Sequence, residues 1–178
     1  MANPEAALDL RHFVRDIPDF PKPGIVYRDI TPLLLDAEAL NAAVVRLAQI
    51  ARGVDVDLVV AAEARGFLLG GALARALGAG FVPARKPGKL PAETVRAEYV
   101  LEYGVDALEM HSDALAGGAR VLIHDDLLAT GGTAKALGDL VTRAGGEVIG
   151  FAFLVELKAL GGRRKLEPTP VRALIEYD

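Results

Sequence analysis

Short apolar runs alternate with amphipathic stretches along most of the chain, a pattern typical of alternating strands and helices. Leu58–Ala62 is apolar on both faces, as a buried parallel strand requires. The segment from Gly66 to Leu77 is apolar nearly all round and predicts a helix, and Phe81 begins another strand. Together these segments predict a β-α-β unit.

The last third of the chain repeats this alternation. Residues 121–123 predict a buried strand that ends in two acids, and residues 134–144 predict a helix that Gly145 ends. Two further strands are expected over residues 147–155 and 171–177. The sequence therefore predicts an α/β fold, with a mostly parallel central sheet flanked by helices and ligands at the carboxyl ends of its strands.

The N-terminal part lacks this rhythm. Asn3 followed by Pro4 is typical of a helix start, so a short helix is expected from Pro4 to about Val14. Prolines at 18, 21, 23 and 32 exclude a helix over residues 17–32 and predict a stiff, extended arm. Asp36 can cap the next helix, which Gly53 ends.

A polar segment interrupted by prolines follows the predicted β-α-β unit. Residues 84–97 are too polar and too broken for a core element, so we expect a surface loop there. Residues 99–111 predict a hairpin that turns at Gly104. The chain of 178 residues is expected to form a single domain.

Composition excludes several classes of protein. Hydrophobic residues make up 52% of the chain, which excludes a disordered protein. The net charge of −4 argues against nucleic acid or an anionic membrane as a partner. The absence of cysteine excludes disulfides, thiolate metal sites and cysteine nucleophiles. No apolar segment is long enough to cross a membrane, so we expect a cytoplasmic protein.

The strongest chemical signal is the glycine-containing turn before the last predicted helix, ATGGT at residues 129–133. Gly131 and Gly132 leave several backbone N–H groups unhindered, and the helix dipole adds positive potential. The hydroxyls of Thr130 and Thr133 add donors, so the segment suits a phosphomonoester. Taken alone, Gly-Gly-Thr is better explained as an ordinary tight turn with a helix cap.

Two acids just upstream change that interpretation. Asp125 and Asp126 would repel a phosphate, but they accept hydrogen bonds well from a vicinal diol such as that of ribose. A diol acceptor beside a phosphate cradle suits ribose 5-phosphate. The sequence contains no Walker A or dinucleotide-binding pattern, so nucleoside-triphosphate hydrolysis and dinucleotide binding are not expected.

The segment HDDLLATGGTA resembles the phosphoribosyl pyrophosphate (PRPP) motif of the type I phosphoribosyltransferase family. Three further segments are similar to the adenine-using members of that family: residues 18–34 (PDFPKPGIVYRDITPLL), residues 62–70 (AEARGFLLG), and residues 85–104, with RKPGKLP and LEYG. The resemblance covers the chain from about Phe13 to Val155. It implies the type I phosphoribosyltransferase fold, with an N-terminal arm or hood over residues 1–35 and a mobile hairpin lid over residues 84–111.

The resemblance also assigns roles to individual residues. The turn binds the 5-phosphate through Ala129, Thr130, Gly131, Gly132 and Thr133. Asp125 and Asp126 hold the ribose diol. Glu63, Ala64 and Arg65 form the pyrophosphate loop, which in the family often contains a non-proline cis peptide. A guanidinium at this strand-to-helix turn also suits phosphate on chemical grounds.

Three cations belong to the lid that the resemblance implies. Arg85, Lys86 and Lys89 lie over the pyrophosphate and are partly lent by the neighbouring subunit of a homodimer. Residues 86–98 close over the reacting centre and exclude water. Without the resemblance these cations would be interpreted as a solvated run of charge.

The base is assigned to the arm and to the hairpin. Val26, Tyr27 and Arg28 hold adenine through backbone groups, although Tyr27 could equally be a core aromatic residue. Glu102, beside Tyr103, exchanges a proton with the imidazole ring of the purine and, with Arg65, is the expected catalytic residue. A lone glutamate in a hairpin would otherwise be expected to face solvent.

The implied activity is transfer of the 5-phosphoribosyl group from PRPP to N9 of adenine, which gives AMP and pyrophosphate in purine salvage. Mg²⁺ is held mainly by PRPP and pyrophosphate oxygens and water, with no metal site built from the protein alone. Two alternatives stay open: use of another base such as hypoxanthine, guanine or xanthine, and a catalytically silent PRPP-binding regulator of nucleotide genes. His12, His111 and His124 predict no site, and His124, which stands where an aliphatic residue is expected, can pack beneath the acids.

Overall fold

The computed structural model describes residues 8–101, 104–115 and 117–178. They form two compact units divided between Arg46 and Leu47. The first unit begins with a 3₁₀ helix over Leu10–Phe13. It continues with β1 (Arg15–Pro18), β2 (Val26–Asp29), α1 (Thr31–Leu35) and most of α2 (Ala37–Ile50).

The first unit corrects two predictions in part and supports a third. A helix from Pro4 to Val14 was expected, but within residues 8–14 only Leu10–Phe13 is helical, and Val14 is already extended where the chain enters β1. The proline-rich arm is extended where β1 and β2 pair in antiparallel register, as predicted. Its last two residues, Thr31 and Pro32, were also expected to be non-helical, but they begin helix α1, because the first turn of a helix tolerates proline. Asp36 accepts a hydrogen bond of 2.8 Å from the Ala39 amide, as predicted for a helix cap.

The second unit contains the predicted α/β alternation. In chain order its elements are β3 (Leu58–Ala62), α3 (Arg65–Leu77), β4 (Gly80–Ala84), β5 (Thr94–Leu101), β6 (Gly104–His111), β7 (Arg120–Leu128), α4 (Gly132–Arg143), β8 (Glu147–Leu157) and β9 (Val171–Tyr177). Five strands form a parallel sheet in the order β4-β3-β7-β8-β9. The α/β prediction is therefore confirmed.

The core of this unit lies between the sheet and α4. Ile123 and Phe153 are fully buried on the sheet, and Leu137 and Leu140 are fully buried on α4. Burying such side chains contributes roughly 1.5–3 kcal/mol each. This packing fixes the start of α4 relative to the carboxyl end of β7.

Two strand boundaries differ from the prediction. Residues 94–97 form the start of β5 instead of loop, because Val95 and Ala97 pack on the core and Thr94 pairs with His111. The strand predicted over residues 121–123 continues to Leu128, because β7 pairs with β8 as far as Glu156. The two acids therefore lie inside a strand.

The sheet order places the carboxyl ends of β3 and β7 side by side. The chain leaves β3 to form β4 on one side, and β7 later pairs with β3 on the other side. Parallel α/β sheets bind ligands where the strand order reverses in this way. Within the described ranges, no helix combines the length and apolar character that crossing a membrane would require.

Candidate active site

The turn between β7 and α4 presents backbone N–H groups to a small concave surface. The first N–H groups of a helix have no acceptor within the helix, and no side chain caps α4. Gly131, the residue before the helix, has φ of 79°, a left-handed conformation that favours glycine. Residues 127–133 line a pocket of about 70 Å³. An anion at this position would meet amide donors and the positive end of the helix dipole.

The acid pair lies next to this turn. Asp126 is 3% exposed, and its backbone N–H donates a hydrogen bond of 3.0 Å to Oδ1 of Asp125. Oδ2 of Asp126 lies 3.1 Å from Nε of Arg65, so the guanidinium at the start of α3 faces the carboxylate at the end of β7. The acid pair on β7 therefore lies against the start of α3, which follows the adjacent strand β3.

Burial governs the charge of this pair. It raises the pKa of Asp125 well above the ordinary range, and the negative charge of Asp126 adds to the shift. Burial also raises the pKa of Asp126, although the positive charge of Arg65 opposes that shift. Two neighbouring carboxyls of this kind can present one acceptor and one donor, which suits adjacent hydroxyl groups.

The turn after β3 contains a cis peptide bond between Glu63 and Ala64. Such bonds are rare outside proline, and a cis bond here agrees with the resemblance, because this loop often contains one in the family. Gly66 follows at the beginning of α3, where an added Cβ would lie 2.8 Å from Oδ1 of Asp125. The absence of a side chain at position 66 therefore makes room for the Asp125 carboxylate.

Two of the three expected cations converge on this turn. Arg85 donates from Nε to Oε2 of Glu63 at 2.8 Å, and Lys89 donates to Oε1 at 2.7 Å. Burial opposes the charge of Glu63, but the hydrogen bonds from Lys89 and Arg85 outweigh that effect and lower its pKa. Glu63 is thus paired with both cations.

Lys86, the third cation, has different partners. Its ammonium binds the carboxylate of Asp106 and lies 3.2 Å from the hydroxyl of Tyr99, both on the β5–β6 hairpin. Burial opposes the charge of Lys86, but these hydrogen bonds outweigh it and raise its pKa. The expected group of three cations is therefore divided into a pair on Glu63 and a single lysine on the hairpin.

One pocket of about 180 Å³ lies at the carboxyl ends of β3 and β7. Its lining includes the 62–65 turn, the hairpin residues Tyr99 and Leu108, the acid pair and Thr133. Thr133 also lines the small pocket of the α4 turn, so the two cavities adjoin. A sugar that carries a phosphate at one end would find hydroxyl acceptors and amide donors in neighbouring positions.

The predicted base-binding residues lie in the first unit. Val26 on β2 is 44% exposed, and the ring of Tyr27 meets the Phe20 ring edge to face at 5.2 Å between centroids. Arg28 forms an ion pair with Asp16 on β1. Tyr27 is half-buried in the arm, and the role of these residues toward a base stays a prediction.

Two predicted residues of the hairpin cannot be placed. Glu102 and Tyr103 lie outside the described residues, between Leu101 of β5 and Gly104 of β6. Their roles stay predictions, as does the mobility of the lid. Residues 86–98 were predicted to form the lid, and the structure shows that residues 94–98 of this segment belong to strand β5.

The histidines take no part in the site. His12 is exposed near Asp9, and His111 lies at the end of β6. His124 is fully buried beside the acids, and its Nδ1 lies 2.9 Å from the carbonyl of Ala152. Burial lowers the pKa of His124 to about 4, so the ring is neutral at physiological pH. Among the described residues, no cluster of three or more His, Cys, Asp or Glu side chains is arranged to hold a metal ion.

Several contacts that shape the site come from residues distant in the sequence, and these contacts were not predicted. Gly162, in the connection between β8 and β9, contacts the backbone of the turn between β7 and α4, and nothing local in the sequence indicates this contact. Asp106 and Tyr99 hold Lys86, and they face each other across the hairpin. That second contact follows from the predicted hairpin once its register is fixed at Gly104.

Comparisons with known proteins agree with this geometry. The family model described as "Phosphoribosyl transferase domain" matches residues 33–173. An adenine phosphoribosyltransferase of Thermotoga maritima is 58% identical over 170 residues, which cover 96% of this chain and 98% of that protein. One from Crocosphaera subtropica is 55% identical over 172 residues, covering 96% of this chain and 100% of the relative.

Solved structures show the same fold. A crystal structure of adenine phosphoribosyltransferase from Thermoanaerobacter pseudethanolicus superposes with a TM-score of 0.92 at 54% identity, covering 94% of this chain and 98% of that one. The Saccharomyces cerevisiae protein, complexed with an imino-altritol bisphosphate and adenine, gives a TM-score of 0.87 at 39% identity, covering 92% and 95%. This chain therefore belongs to the phosphoribosyltransferase family, among its adenine phosphoribosyltransferases.

Proposed function

We propose that this chain transfers the 5-phosphoribosyl group of PRPP to N9 of adenine and releases AMP and pyrophosphate. One observation carries the proposal: the uncapped start of α4 and the Asp125–Asp126 pair line adjoining pockets that share Thr133. A ribose 5-phosphate needs these two recognition elements side by side. The adenine phosphoribosyltransferases that resemble the chain support adenine as the acceptor.

In this proposal the 5-phosphate binds the turn formed by Ala129, Thr130, Gly131, Gly132 and Thr133. The backbone N–H groups and the threonine hydroxyls donate to its oxygens, and the helix dipole adds attraction. Asp125 and Asp126 accept hydrogen bonds from the two ribose hydroxyls. Because the turn and the acids adjoin, they hold the sugar at both ends and orient C1 toward the incoming base.

Pyrophosphate binds at the Glu63-Ala64-Arg65 turn. Arg65 lines the larger pocket and offers a planar guanidinium that suits phosphate oxygens. Arg85 and Lys89 already converge on Glu63, so a pyrophosphate that binds there competes with one carboxylate for two cations. Lys86 supplies further positive charge from the hairpin.

The bond between C1 and the pyrophosphate oxygen breaks as the bond from N9 of adenine forms, through an oxocarbenium-like transition state. Arg65 and the neighbouring cations stabilise charge that develops on the leaving group. Val26, Tyr27 and Arg28 hold the base, and Glu102 exchanges the proton of its imidazole ring.

The carboxylates that line the pocket are compatible with an Mg²⁺ ion that is bound mainly by substrate oxygens. Asp125 and Asp126 offer carboxylate oxygens at the rim of the pocket, and Mg²⁺ at phosphate sites takes one or two protein carboxylates and completes its shell with substrate and water. When bound, the ion would offset the negative charge of the pyrophosphate.

We also propose that the protein is a cytoplasmic homodimer. The cytoplasm is where phosphorylated sugars and nucleotides would be retained, because their charge makes crossing a bilayer costly. The family resemblance, in which lid cations are partly lent by a neighbouring subunit, supports the dimer. Light scattering on the purified protein tests the assembly, and a molar mass near the 18.8 kDa of a single chain would contradict it.

The central test is to incubate the protein with PRPP, Mg²⁺ and adenine and to measure AMP by chromatography, with hypoxanthine in a parallel reaction. We expect AMP from adenine and little product from hypoxanthine. Asp126→Ala should raise KM for PRPP by about tenfold or more, because a buried hydrogen-bond acceptor for the ribose is lost. Asp113→Ala, an exposed aspartate in the turn after β6, is the matched control and should stay within about twofold of the native enzyme.

Four results would contradict the proposal or one of its residue roles. The native protein could form no AMP, or it could use hypoxanthine in preference to adenine. Equal KM values for PRPP in the Asp126→Ala and Asp113→Ala variants would remove the ribose role from the acid pair. Glu102→Ala should slow turnover more than it weakens PRPP binding, and an unchanged kcat would remove the proton-exchange role from Glu102.

A further inference from the structure

The connection between β8 and β9 contacts the backbone of the turn at residues 129–133, called the phosphate turn below. A Cβ added to Gly131 would lie 2.6 Å from the carbonyl oxygen of Gly162 and 3.2 Å from its Cα. A Cβ added to Gly162 would overlap the carbonyl oxygen of Ala129 and lie 2.8 Å from the Gly131 nitrogen. Two stretches of main chain are therefore in contact with no side chain between them.

An arginine fixes this connection to the sheet. Arg163, next to Gly162, donates from Nε to Oε1 of Glu156 at 3.0 Å and makes a second bond from Nη2 to Oε2. Its Nη1 donates to the carbonyl of Val171 at 2.7 Å, so one guanidinium links Glu156, near the end of β8, with the first residue of β9. Glu176 lies 3.8 Å away and adds a second carboxylate.

The partner of this arginine is also tied to the phosphate turn. Glu156 is 4% exposed and stands opposite Leu128, the last residue of β7, in the pairing of β7 with β8. The turn begins at the next residue, Ala129. The pairing of Leu128 with Glu156 thus fixes the position of the backbone where the turn begins. The contact with Gly162 fixes the backbone at Gly131, in the middle of the turn.

We infer that Glu156, Gly162 and Arg163 form a buttress that holds the phosphate turn in its binding conformation, and that they are positioning residues for the 5-phosphate. The inference rests on the proposed function of the turn. No side chain caps α4, so no local side chain holds the backbone of the turn in place. The amides of the turn therefore converge on an anion only if contacts from another part of the chain fix the backbone conformation. Contact at Gly162 supplies that constraint.

The buttress predicts a selective defect. It touches the turn after β7, whereas the pyrophosphate turn follows β3, which lies on the other side of β7 from β8. Disturbing the buttress should therefore weaken binding of a sugar phosphate more than binding of pyrophosphate. A role limited to overall stability would lower both affinities together.

Gly162→Ala tests this most directly, because the new methyl group would meet backbone atoms that cannot move aside independently. We expect its affinity for ribose 5-phosphate, measured by calorimetry, to fall by about tenfold or more, with KM for PRPP rising in parallel. Affinity for pyrophosphate with Mg²⁺ and KM for adenine should stay within about twofold. Gly138→Ala on α4, where a Cβ has ordinary contacts only, is the control and should bind all ligands normally.

Glu156→Gln provides a second test should Gly162→Ala fail to fold. It keeps the side-chain shape but weakens the bond to Arg163, and ribose 5-phosphate affinity should fall by about threefold to tenfold. Glu167→Gln changes an exposed glutamate on the same connection and is its control.

Normal ribose 5-phosphate affinity in a folded Gly162→Ala or Glu156→Gln variant would overturn the buttress, and so would an equal loss of pyrophosphate affinity. Failure of the native protein to form AMP would instead overturn the proposed function, and the ribose 5-phosphate titrations would still test the buttress.

Discussion

Asp125 and Asp126 place two carboxyl groups side by side at the buried end of β7. Burying a carboxylate costs free energy unless a cation or a donor compensates it, and within the pair the Arg65 contact falls on Asp126. The folded protein therefore binds a proton at Asp125 more tightly than the unfolded chain does. Such a residue favours ligand binding at the expense of stability.

Asp125→Asn should stabilise the protein at alkaline pH. Because the pKa of Asp125 is raised in the folded protein, Asp125 lowers the free energy of unfolding least below the ordinary carboxyl pKa of 3.8, where it is protonated in both the folded and the unfolded state. As the pH rises toward the raised pKa, the free energy of unfolding falls. The amide removes that dependence. We expect the variant to be more stable at about pH 8 by at least about 1 kcal/mol, with the difference vanishing near about pH 4. Urea unfolding across this pH range measures it.

The same variant should bind PRPP more weakly, with KM raised by about tenfold, because the amide keeps only one of the two oxygens that a carboxylate at position 125 can offer to the ribose. Asp113→Asn controls for removal of an exposed carboxylate and should change neither quantity. A native protein more stable than Asp125→Asn at alkaline pH would contradict the cost assigned to the buried charge.

At the residue scale, the sequence predicts the part of the site that is contiguous. Residues 125–133 are brought together by one strand end and one helix start, so their spacing alone indicates a sugar phosphate. Gly162 reaches the same turn from more than 30 positions away, because two parallel strands end at the same edge. Gly161 and Gly162 form a glycine pair in a polar connection, and nothing in their local sequence indicates that Gly162 makes such a contact.

At the element scale, helix α3 begins directly over the acid pair. Its second residue, Gly66, is buried, and a Cβ there would crowd Oδ1 of Asp125. Gly71 lies on the exposed face of the same helix with no atom within 4 Å of an added Cβ. The two glycines therefore separate the intrinsic effect of glycine in a helix from the effect of its position over the site.

Gly66→Ala should displace the Asp125 carboxylate and raise KM for PRPP by about threefold to tenfold. Alanine is more favourable than glycine in a helix by about 1 kcal/mol, but the crowding of its methyl group against Asp125 should cancel this gain in stability. Gly71→Ala should gain about 0.5–1 kcal/mol and keep a normal KM. Steady-state kinetics and urea unfolding of both variants measure this, and equal KM values would show that Gly66 does not set the carboxylate position.

The element boundaries that the sequence predicts wrongly share one cause. Thr94 to Ala97 alternates between outward and inward residues, which is a strand pattern, but nearby prolines and charges hide it. The strand with the acid pair continues past them because β8 offers a partner. In both cases strand pairing decides the boundary, and pairing depends on residues far away in the sequence.

At the scale of the whole molecule, local charge and net charge have opposite signs. The chain carries −4 overall, yet Arg65 lines the pocket and Arg85 and Lys89 bind the carboxylate of Glu63 in its wall. An anionic substrate such as PRPP is attracted only within a short distance of these cations. Salt therefore weakens its binding by screening, whereas neutral adenine is unaffected.

KM for PRPP should rise by about threefold to tenfold between roughly 0.05 M and roughly 0.5 M KCl, while KM for adenine stays nearly constant. Lys89→Gln should flatten this dependence, because it removes one of the cations on Glu63. Arg75→Gln, about 15 Å from Arg65 along α3, removes an equal charge outside the pocket and should leave the slope unchanged. Equal slopes for Lys89→Gln and Arg75→Gln would mean that PRPP responds to the total charge of the protein and not to the cations of the pocket.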